Sequence, residues 1–413
     1  MAIFKSGHTD SRNPMHPAEI LRNSGKNGRF AGKHILVCIT GSIAAVEDVK
    51  LIREFIRQGA EVTVAMTESA TRIVHPEALW FASGRKPITT LNGDVQHVTL
   101  CSSGPGSVDA VLVAPCSADM ISKTATGICD DAVSTMLVTA IGAKKSIIIA
   151  PGMHGDMWEA KTIQENLGKL KSLGMMIIEP SIDEGKAKMA EIEHIVCATA
   201  RSMLGGGLKG RRVTVIGGST AEPIDAVRCI SNVSTGGTAV ALAKEAYMRG
   251  ADVELMMGNC SVRLPDFMPT RRFKTVKELE KLVSGRRMDI VLMPAAVSDY
   301  SPDRAFKGKM PSDKESLSIV LRRNEKVIDS IDASVIIGFK LEVGASVEDL
   351  KERARERMSS SRMTGIVANR LEDVKEEKSR AFMLDRSGEE VELFGTRDEI
   401  ARGIIDQLIK GLR

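Results

Sequence analysis

The sequence predicts an α/β protein made of two doubly wound, Rossmann-like domains. Three observations support this fold class. Short β-branched runs alternate with amphipathic helical patterns along almost the whole chain. The strand runs are continuously apolar, which is typical of parallel strands covered by helices on both faces. The chain has 413 residues, and this length favours more than one domain.

Five runs in the first half of the chain read as strands. They span residues 35–39, 62–66, 110–114, 146–150 and 175–178. Between the first two, residues 47–58 have the period of a helix, with Val49, Ile52, Phe55 and Ile56 on one face. This alternation predicts a parallel sheet with helices on each side.

The pattern breaks at residues 201–212, which read RSMLGGGLKGRR. Three consecutive glycines with basic neighbours predict neither a strand nor a helix, so we expect a linker there. The predicted organisation is therefore a lead-in at 1–30, a first domain at 31–200, a linker at 201–211 and a second domain at 212–413.

The strand pattern restarts after the linker. The predicted strands span residues 213–216, 252–257, 289–293, 335–339 and 365–368. A hairpin follows, with strands at 381–384 and 390–394 around Ser387-Gly388, and a closing helix begins at Thr396. We find no convincing sequence repeat between the two halves, although their architecture is similar.

Composition narrows the classes of partner. The net charge is only +4, and aromatic residues make up 3% of the chain, so neither a basic field nor stacking platforms for nucleic acid are expected. No apolar run is long enough for a membrane span, and the first 30 residues lack the apolar core of a signal peptide. Seven cysteines without a C-x-x-C pattern predict reduced thiols and a cytoplasmic location.

Glycine turns that suit phosphate follow the first strand of each half. In the first half, Gly41-Ser42-Ile43 leads directly into a helix, although a plain tight turn with an N-cap serine fits this fragment equally well. In the second half, two polar, glycine-rich turns at 217–225 and 230–237 favour an anionic ligand. Neither G-x-G-x-x-G nor a Walker A motif is present.

Eight segments, in order, resemble one family, the bifunctional phosphopantothenoylcysteine decarboxylase / phosphopantothenate–cysteine ligases of coenzyme A biosynthesis. In the first domain they are ITGSIAA (39–45), APCSADM (114–120), GICDDAVST (127–135) and APGMHGDMW (150–158). In the second they are VIGGSTAEPIDAVRCISNVSTGG (215–237), MPAAVSDY (293–300), FKGK (306–309) and IGFKLE (337–342). Residues 15–30 also resemble the lead-in of archaeal members.

For the first domain, the resemblance implies an FMN-dependent decarboxylase. The flavin oxidises the thiol carbon of the substrate, CO₂ leaves, and the hydride returns from the reduced flavin. The residues expected near FMN are Gly41, Ser42, Ile43, Thr67, Ser117, Asp131 and Ser134. His97 matches the catalytic histidine of the family, whereas its fragment alone would be interpreted as a surface histidine.

Two departures from the family concern catalysis in this domain. His154 stands where the family usually has the asparagine that binds the substrate carboxylate, and a histidine can also donate to that group. The flap-like segment 183–189 lacks the usual cysteine, so we expect water or Lys186 to supply the proton. An impaired decarboxylase is the alternative.

For the second domain, the resemblance implies that CTP activates 4′-phosphopantothenate as an acyl-nucleotide, which the amine of cysteine then attacks; ATP remains open as the nucleotide. Asn232 matches the residue that handles the acyl-nucleotide, and Asp299 is the expected Mg²⁺ contact. Gly237 stands where the family usually has lysine. The expected nucleotide and substrate contacts are Gly217, Ser219, Ser231, Ser234, Thr235, Gly236, Ala295, Asp299, Lys307, Lys309, Phe339 and Arg357.

Two other kinds of protein fit the sequence less well. A nicotinamide-dependent oxidoreductase is disfavoured by the missing dinucleotide fingerprint. A flavin-binding regulatory subunit is disfavoured by His97 and by the second domain. The expected partners are therefore small-molecule substrates, with no nucleic acid and no membrane. The resemblance further implies trimers of flavin domains and dimers of ligase domains, which together would form a dodecamer.

Overall fold

The computed structural model describes residues 15–183, 185–311, 316–375 and 378–412. The chain divides into two compact units, one ending at Leu204 and the other beginning at Gly205.

The first unit contains short and long strands joined mostly by helices. Its strands are β1 (His34–Ile39), β2 (Glu61–Met66), β3 (Ala110–Cys116), β4 (Ser146–Pro151), β5 (Met153–His154), β6 (Met176–Ile177), β7 (Ser181–Asp183) and β8 (Lys186–Lys188). Its helices are α1 (Pro17–Ser24), α2 (Asp48–Arg57), α3 (Glu68–Thr71), α4 (Pro76–Ser83), α5 (Gln96–Cys101), α6 (Ala118–Thr126), α7 (Ala132–Gly142), α8 (Gly155–Glu159), α9 (Lys161–Ser172) and α10 (Ile192–Leu204). All five predicted strands form.

The main sheet of this unit is parallel, in the order β2-β1-β3-β4-β6. This is the flavodoxin-like order, in which the chain reverses direction across the sheet between β1 and β3. The strands are buried because helices cover both faces, as their unbroken apolar sequences predicted. Ligands of such sheets bind at the carboxyl ends of the strands beside the reversal.

A second, small antiparallel sheet, β5-β8-β7, was not predicted. Its strands have only two or three residues, and β8 has lysines on both sides of one buried alanine. No apolar run marks such strands, because they are held by backbone pairing and, between β7 and β8, by the ion pair of Lys188 with Asp183. The flap-like segment is therefore partly a strand.

The expected lead-in is part of the first unit. Helix α1 has a proline at its first position, and His16 Nδ1 accepts a hydrogen bond from Ala18 N (3.1 Å). Phe30 is fully buried and packs edge-to-face on Phe55, with 5.3 Å between ring centroids. Apolar burial thus joins residues 15–30 to the core of this unit, whereas residues 1–14 lie outside the described part.

The second unit is also a strand-rich α/β unit. Its strands are β9 (Arg212–Gly217), β10 (Ala221–Pro223), β11 (Cys229–Ser231), β12 (Asp252–Met257), β13 (Thr270–Arg272), β14 (Arg287–Met293), β15 (Tyr300–Pro302), β16 (Leu321–Arg323), β17 (Asp332–Glu342), β18 (Gly365–Arg370), β19 (Ser379–Asp385) and β20 (Glu390–Gly395). Its helices are α11 (Gly237–Met248), α12 (Val276–Val283), α13 (Val327–Ser330), α14 (Val347–Ser359) and α15 (Arg397–Gly411).

Its main sheet has the order β13-β12-β9-β14-β17-β18-β19-β20. The first six strands are parallel in the Rossmann order, with the reversal between β9 and β14. The last two strands form the predicted antiparallel hairpin. The predicted fold class, two doubly wound α/β units, is confirmed.

The expected linker is shorter than predicted. Helix α10 continues through residues 201–204, and β9 begins at Arg212. The residues Arg-Ser-Met-Leu contain no helix breaker, so the helix persists until the glycines that start at Gly205. Within the predicted linker, residues 205–211 lie outside a helix or strand.

Candidate functional site

A large cavity of about 1380 Å³ lies at the carboxyl ends of the parallel strands in the first unit. It exceeds the range of about 300–1,000 Å³ usual for small-molecule sites, so it has room for two ligands. Eight residues singled out from the sequence line it: Gly41, Ser42, Ile43, Thr67, Ser117, Asp131, His154 and Lys186.

The floor of the cavity is fixed by Thr40, which the sequence did not single out. This buried hydroxyl donates to Pro115 O (2.7 Å) and accepts from Ser117 N (2.8 Å), tying β1 to β3 at the reversal. The next turn carries Ser42, whose side chain makes no capping hydrogen bond. A Cβ on Gly152 would come within 3.3 Å of Ser42 Oγ, so the glycine keeps the space beside this hydroxyl open.

Two further hydroxyls of the cavity stand at helix starts. Thr67 Oγ1 accepts from Ala70 N (3.2 Å), and Ser117 Oγ accepts from Met120 N (3.3 Å). Each is therefore an N-cap that keeps its own O–H free to donate. The cavity thus offers hydroxyl donors where an anionic group of a ligand would lie.

A cation that sequence reasoning missed, Lys123, organises the acidic wall of the cavity. Its Nζ lies 3.1 Å from Asp119, 3.1 Å from Asp130 and 3.8 Å from Asp131. Burial lowers the pKa of Lys123, but the hydrogen bonds that Lys123 donates to Asp119 and Asp130 outweigh burial and raise its pKa above the usual value. Lys123 therefore stays charged and holds these carboxylates in place.

Ser134 is not brought to the cavity. It forms a capping box with Asp131, whose Oδ1 accepts from Ser134 N (2.8 Å) while Ser134 Oγ accepts from Asp131 N (3.1 Å). Ser134 is buried and starts α7. Its position gives it a structural role, and Asp131 is the member of the pair that lines the cavity.

His97 lies on α5, outside the cavity lining. The preceding N-cap, Val95, is left-handed (φ 46°, ψ 48°), a costly conformation for a β-branched residue. His97 Nδ1 is buried with no hydrogen-bond partner among the described residues. The neutral ring is therefore better placed with its proton on Nε2, because a donor on Nδ1 would have no acceptor.

His154 and Lys186 are brought together. They are direct register partners in the antiparallel pair β5–β8, so their side chains share one face of the small sheet. His154 Nδ1 accepts from Asp156 N (3.4 Å), which leaves Nε2 as the free ring position. No described acidic residue lies within 4.0 Å of the Lys186 ammonium, so the described part of the chain gives it no ion pair.

The carboxyl end of β9 forms the floor of a candidate site in the second unit. Gly218 is left-handed (φ 74°), and a side chain there would meet the backbone of Asn259. Ser219 exchanges backbone hydrogen bonds with Asn259 (2.9 and 2.8 Å). Its hydroxyl lies 3.2 Å from that of Ser231, so the two glycine-rich turns meet here, next to Gly217.

Asn232 contacts the segment that follows β14. Its Nδ2 donates to Ala296 O (3.3 Å), directly beside Ala295. Asp299, at the end of this segment, forms an ion pair with Lys326. Within the described ranges, no cluster of three or more His, Cys, Asp or Glu side chains suits a metal ion. Asp299 would therefore reach a metal only together with groups of a ligand.

The start of α11 is polar, and its Gly236 and Gly237 are buried. Ser234 Oγ and Thr235 Oγ1 accept from the N–H groups of Gly236 (3.4 Å) and Gly237 (3.3 Å). A Cβ on Gly237 would overlap the guanidinium of Arg397, which reaches over from α15. The sequence did not single out Arg397, because its place beside Gly237 depends on how α15 packs against α11.

The remaining predicted contacts lie in three different places. Lys307 and Lys309 are exposed on a segment held against the β10–β11 hairpin. Phe339 is half-buried and packs against the core, near the carboxyl end of β17. Arg357 pairs with Asp329 (3.3 Å), just before β17 begins, so the structure does not bring it to the carboxyl ends of the strands.

These two units correspond to two protein families. Residues 24–204 match the flavoprotein family, and residues 208–412 match the DNA/pantothenate metabolism flavoprotein C-terminal domain. The chain is therefore a two-domain protein, in which a flavoprotein domain is followed by this C-terminal domain.

Relatives over the full length narrow the class further. The coenzyme A biosynthesis bifunctional protein CoaBC of Thermococcus kodakarensis is 39% identical over 94% of this chain and 97% of its own. The CoaBC protein of Methanocaldococcus jannaschii is 36% identical over 96% of this chain and 98% of its own. The chain belongs to this family of coenzyme A biosynthesis bifunctional proteins, which confirms the resemblance seen in the sequence.

Solved structures resemble each unit. The C-terminal domain of a coenzyme A biosynthesis bifunctional protein CoaBC is 27% identical, covers 50% of this chain and 97% of its own, and has a TM-score of 0.42. The FMN-dependent cysteine decarboxylase SpaF is 26% identical. The match covers 41% of this chain and 99% of the SpaF chain, with a TM-score of 0.35. In the described part of the chain, no helix has the length and apolarity needed to cross a membrane.

Proposed function

We propose that the chain carries two activities of coenzyme A biosynthesis, one in each unit. The second unit ligates 4′-phosphopantothenate to cysteine at the expense of CTP, through an acyl-cytidylate. The first unit then decarboxylates 4′-phosphopantothenoylcysteine with FMN. The observation that carries this proposal is the cavity at the β1/β3 reversal, since flavodoxin-like sheets bind FMN at that point.

The residues of this cavity fit FMN. The backbone at Gly41 and the hydroxyls of Ser42 and Thr67 would hold the phosphate. None of the described lining residues is Phe, Trp or Tyr, so Met153 and Ile43 would cover the ring system instead. When bound, the flavin supplies the electron acceptor for the thiol carbon of the substrate.

The small sheet beside the cavity would bind the acidic end of the substrate. His154 Nε2 and Lys186 Nζ lie on one face and can both donate to its carboxylate before CO₂ leaves. Lys186 Nζ is then the proposed donor of the proton that completes the product, with water as the alternative. This assignment replaces the cysteine that the flap lacks.

The position of His97 supports an assembly in which flavin domains contact each other. His97 lies between Val95 and Val98, which are 47% and 44% exposed, and it does not line the cavity of its own chain. We infer that a trimer covers these valines and brings Nε2 of His97 to the cavity of a neighbouring chain. There it would orient the substrate by donating a hydrogen bond.

In the second unit, the turn before α11 and the exposed Lys307 and Lys309 would hold the triphosphate. Asn232 would hold the reacting carboxylate beside it, and Asp299 would exchange Lys326 for the Mg²⁺ that accompanies the nucleotide. CTP is distinguished from ATP by the product, because ligation with CTP releases CMP and ligation with ATP releases AMP.

Exposed apolar side chains also support dimers of the second unit. In the antiparallel pair β15–β16, Tyr300 is 52% exposed, and Val320, directly before β16, is 70% exposed. Trimers and dimers together would close into a dodecamer. All seven cysteines are free, which supports a reducing, cytoplasmic location.

Two substitutions separate the activities. His97→Asn should abolish CO₂ release and leave ligation intact, whereas Asn232→Asp should abolish ligation and leave decarboxylation of supplied 4′-phosphopantothenoylcysteine intact. Each variant is the control for the other. If either one removed both activities while thermal unfolding stayed normal, the assignment of one activity to each unit would be wrong.

A further inference from the structure

An enclosed carboxylate, Asp225, holds two segments of the second unit together. Its side chain is 0% exposed. One oxygen, Oδ1, accepts hydrogen bonds from Val227 N (2.7 Å) and Arg228 N (2.6 Å). The other, Oδ2, accepts from Met310 N (3.1 Å) and from the Arg228 guanidinium (3.3 Å). Both oxygens accept from Arg228, but only Oδ2 also reaches a distant segment, through Met310 N.

That distant segment carries the two lysines proposed to contact the nucleotide. Phe306 N donates to Ile224 O (2.9 Å), and Ala226 N donates to Gly308 O (3.1 Å). With the hydrogen bond from Met310 N to Asp225, every second residue of 306–310 is hydrogen-bonded to the segment 224–226. The intervening residues, Lys307 and Lys309, are exposed.

The same carboxylate fixes the turn that leads to Asn232. Ile224 N donates to Arg228 O (2.9 Å), which closes the end of the β10–β11 hairpin, and Asn232 follows β11 directly. Hydrogen bonds from Val227, Arg228 and Met310 N–H hold the pKa of Asp225 below its usual range, so it is charged at neutral pH. Charged acceptors make the stronger hydrogen bonds.

We propose that Asp225 is a positioning residue of the ligase, which holds the 306–310 segment in register with Asn232 so that both lysines meet the nucleotide phosphates. This rests on the proposed nucleotide-binding role of the lysines. Two flexible side chains on a fixed backbone lose less freedom on binding than two on a loose segment. The carboxylate thus contributes to nucleotide affinity without touching the nucleotide.

The variant Asp225→Asn separates the two oxygens. Its amide oxygen can still accept from Val227 N and Arg228 N, but its NH₂ group would face Met310 N–H, donor against donor. The turn is therefore kept while the lysine segment is released. We expect KM for CTP to rise about tenfold, the loss of roughly one charge-assisted hydrogen bond, with kcat within about twofold.

Three control measurements test whether the rise in KM comes from the lysine segment. Decarboxylation should not change, because its residues lie in the first unit. Asp303→Asn should leave KM for CTP unchanged, because Asp303 pairs with Arg322 of β16 and not with the lysine segment. In a Lys307→Ala/Lys309→Ala background, Asp225→Asn should cause no further rise in KM, since the groups it positions are gone.

The outcomes are distinguishable. A tenfold rise that disappears in the double-lysine background supports the proposal. An equal rise in that background, or a lower kcat and unfolding temperature with unchanged KM, would overturn it and leave Asp225 a purely structural group. If Lys307→Ala/Lys309→Ala itself left KM for CTP unchanged, the nucleotide role of the lysines would fall as well.

Discussion

Asp48 is an ionisable residue without the partners that its burial demands. It begins α2, just after the turn that follows β1, and both carboxyl oxygens are buried with no hydrogen-bond partner in the described part of the chain. Burial, and next to it the charge of Glu47, raise the pKa of Asp48 well above its usual value. The folded state therefore favours the protonated carboxyl.

The pH dependence of stability follows from this shift. Between the unfolded pKa of about 3.9 and the raised folded pKa, the folded state binds more protons, so its stability falls as pH rises. Asp48→Asn cannot ionise and should be more stable than wild type at pH 8 by on the order of 1–3 kcal/mol, with the pH-dependent gain absent near pH 4. Denaturant unfolding of both proteins, each saturated with FMN, measures the difference. An equal pH dependence would contradict it.

The sequence predicted the residues of the flavin cavity that directly follow strands, such as Gly41, Ser42 and Thr67, because strand ends of a parallel sheet share one edge. It did not predict Thr40 or Lys123, since their roles depend on partners 75 residues away or on several carboxylates that the fold brings together. The contacts of Thr40 are long-range, whereas Lys123 pairs with Asp119 at the i,i+4 spacing of a helix, which is a local signal that could have pointed to this lysine.

At the scale of elements, helices α11 and α15 make a contact that the sequence did not predict. Arg397, in the first turn of α15, lies against Gly237 in the first turn of α11. A cation at a helix start is disfavoured by the helix dipole unless an anion accompanies it. Gly237 has no side chain of its own, and Arg397 brings a positive charge to that place from another helix.

Removing this charge should weaken nucleotide binding. Arg397→Gln is expected to raise the dissociation constant of CTP about fivefold, corresponding to roughly 1 kcal/mol for a partly exposed charge. Adding Gly237→Lys to that variant should restore most of the affinity. Lys410→Gln, which breaks an ion pair with Glu389 at the other end of α15, is the matched control. Calorimetric titration with CTP would refute the idea by giving equal constants for Arg397→Gln and wild type.

At the scale of the whole molecule, each unit has its own sheet reversal, and each candidate site lies at the carboxyl ends of its own strands. The alternation of strands and helices predicted this architecture, but not the order of strands, because order depends on which strand each helix returns to. Composition had set a further condition: with 3% aromatic residues, ring ligands must be held by other groups. The described lining of the cavity, free of Phe, Trp and Tyr, meets that condition.

The flavin content of the purified full-length protein tests the central claim most directly. We expect one FMN per chain, measured by absorbance after release and by protein concentration. His97→Asn should retain the flavin, because His97 is proposed to donate to the substrate and not to hold FMN. A colourless protein that also fails to take up added FMN would contradict the assignment of the 1380 Å³ cavity to the flavin.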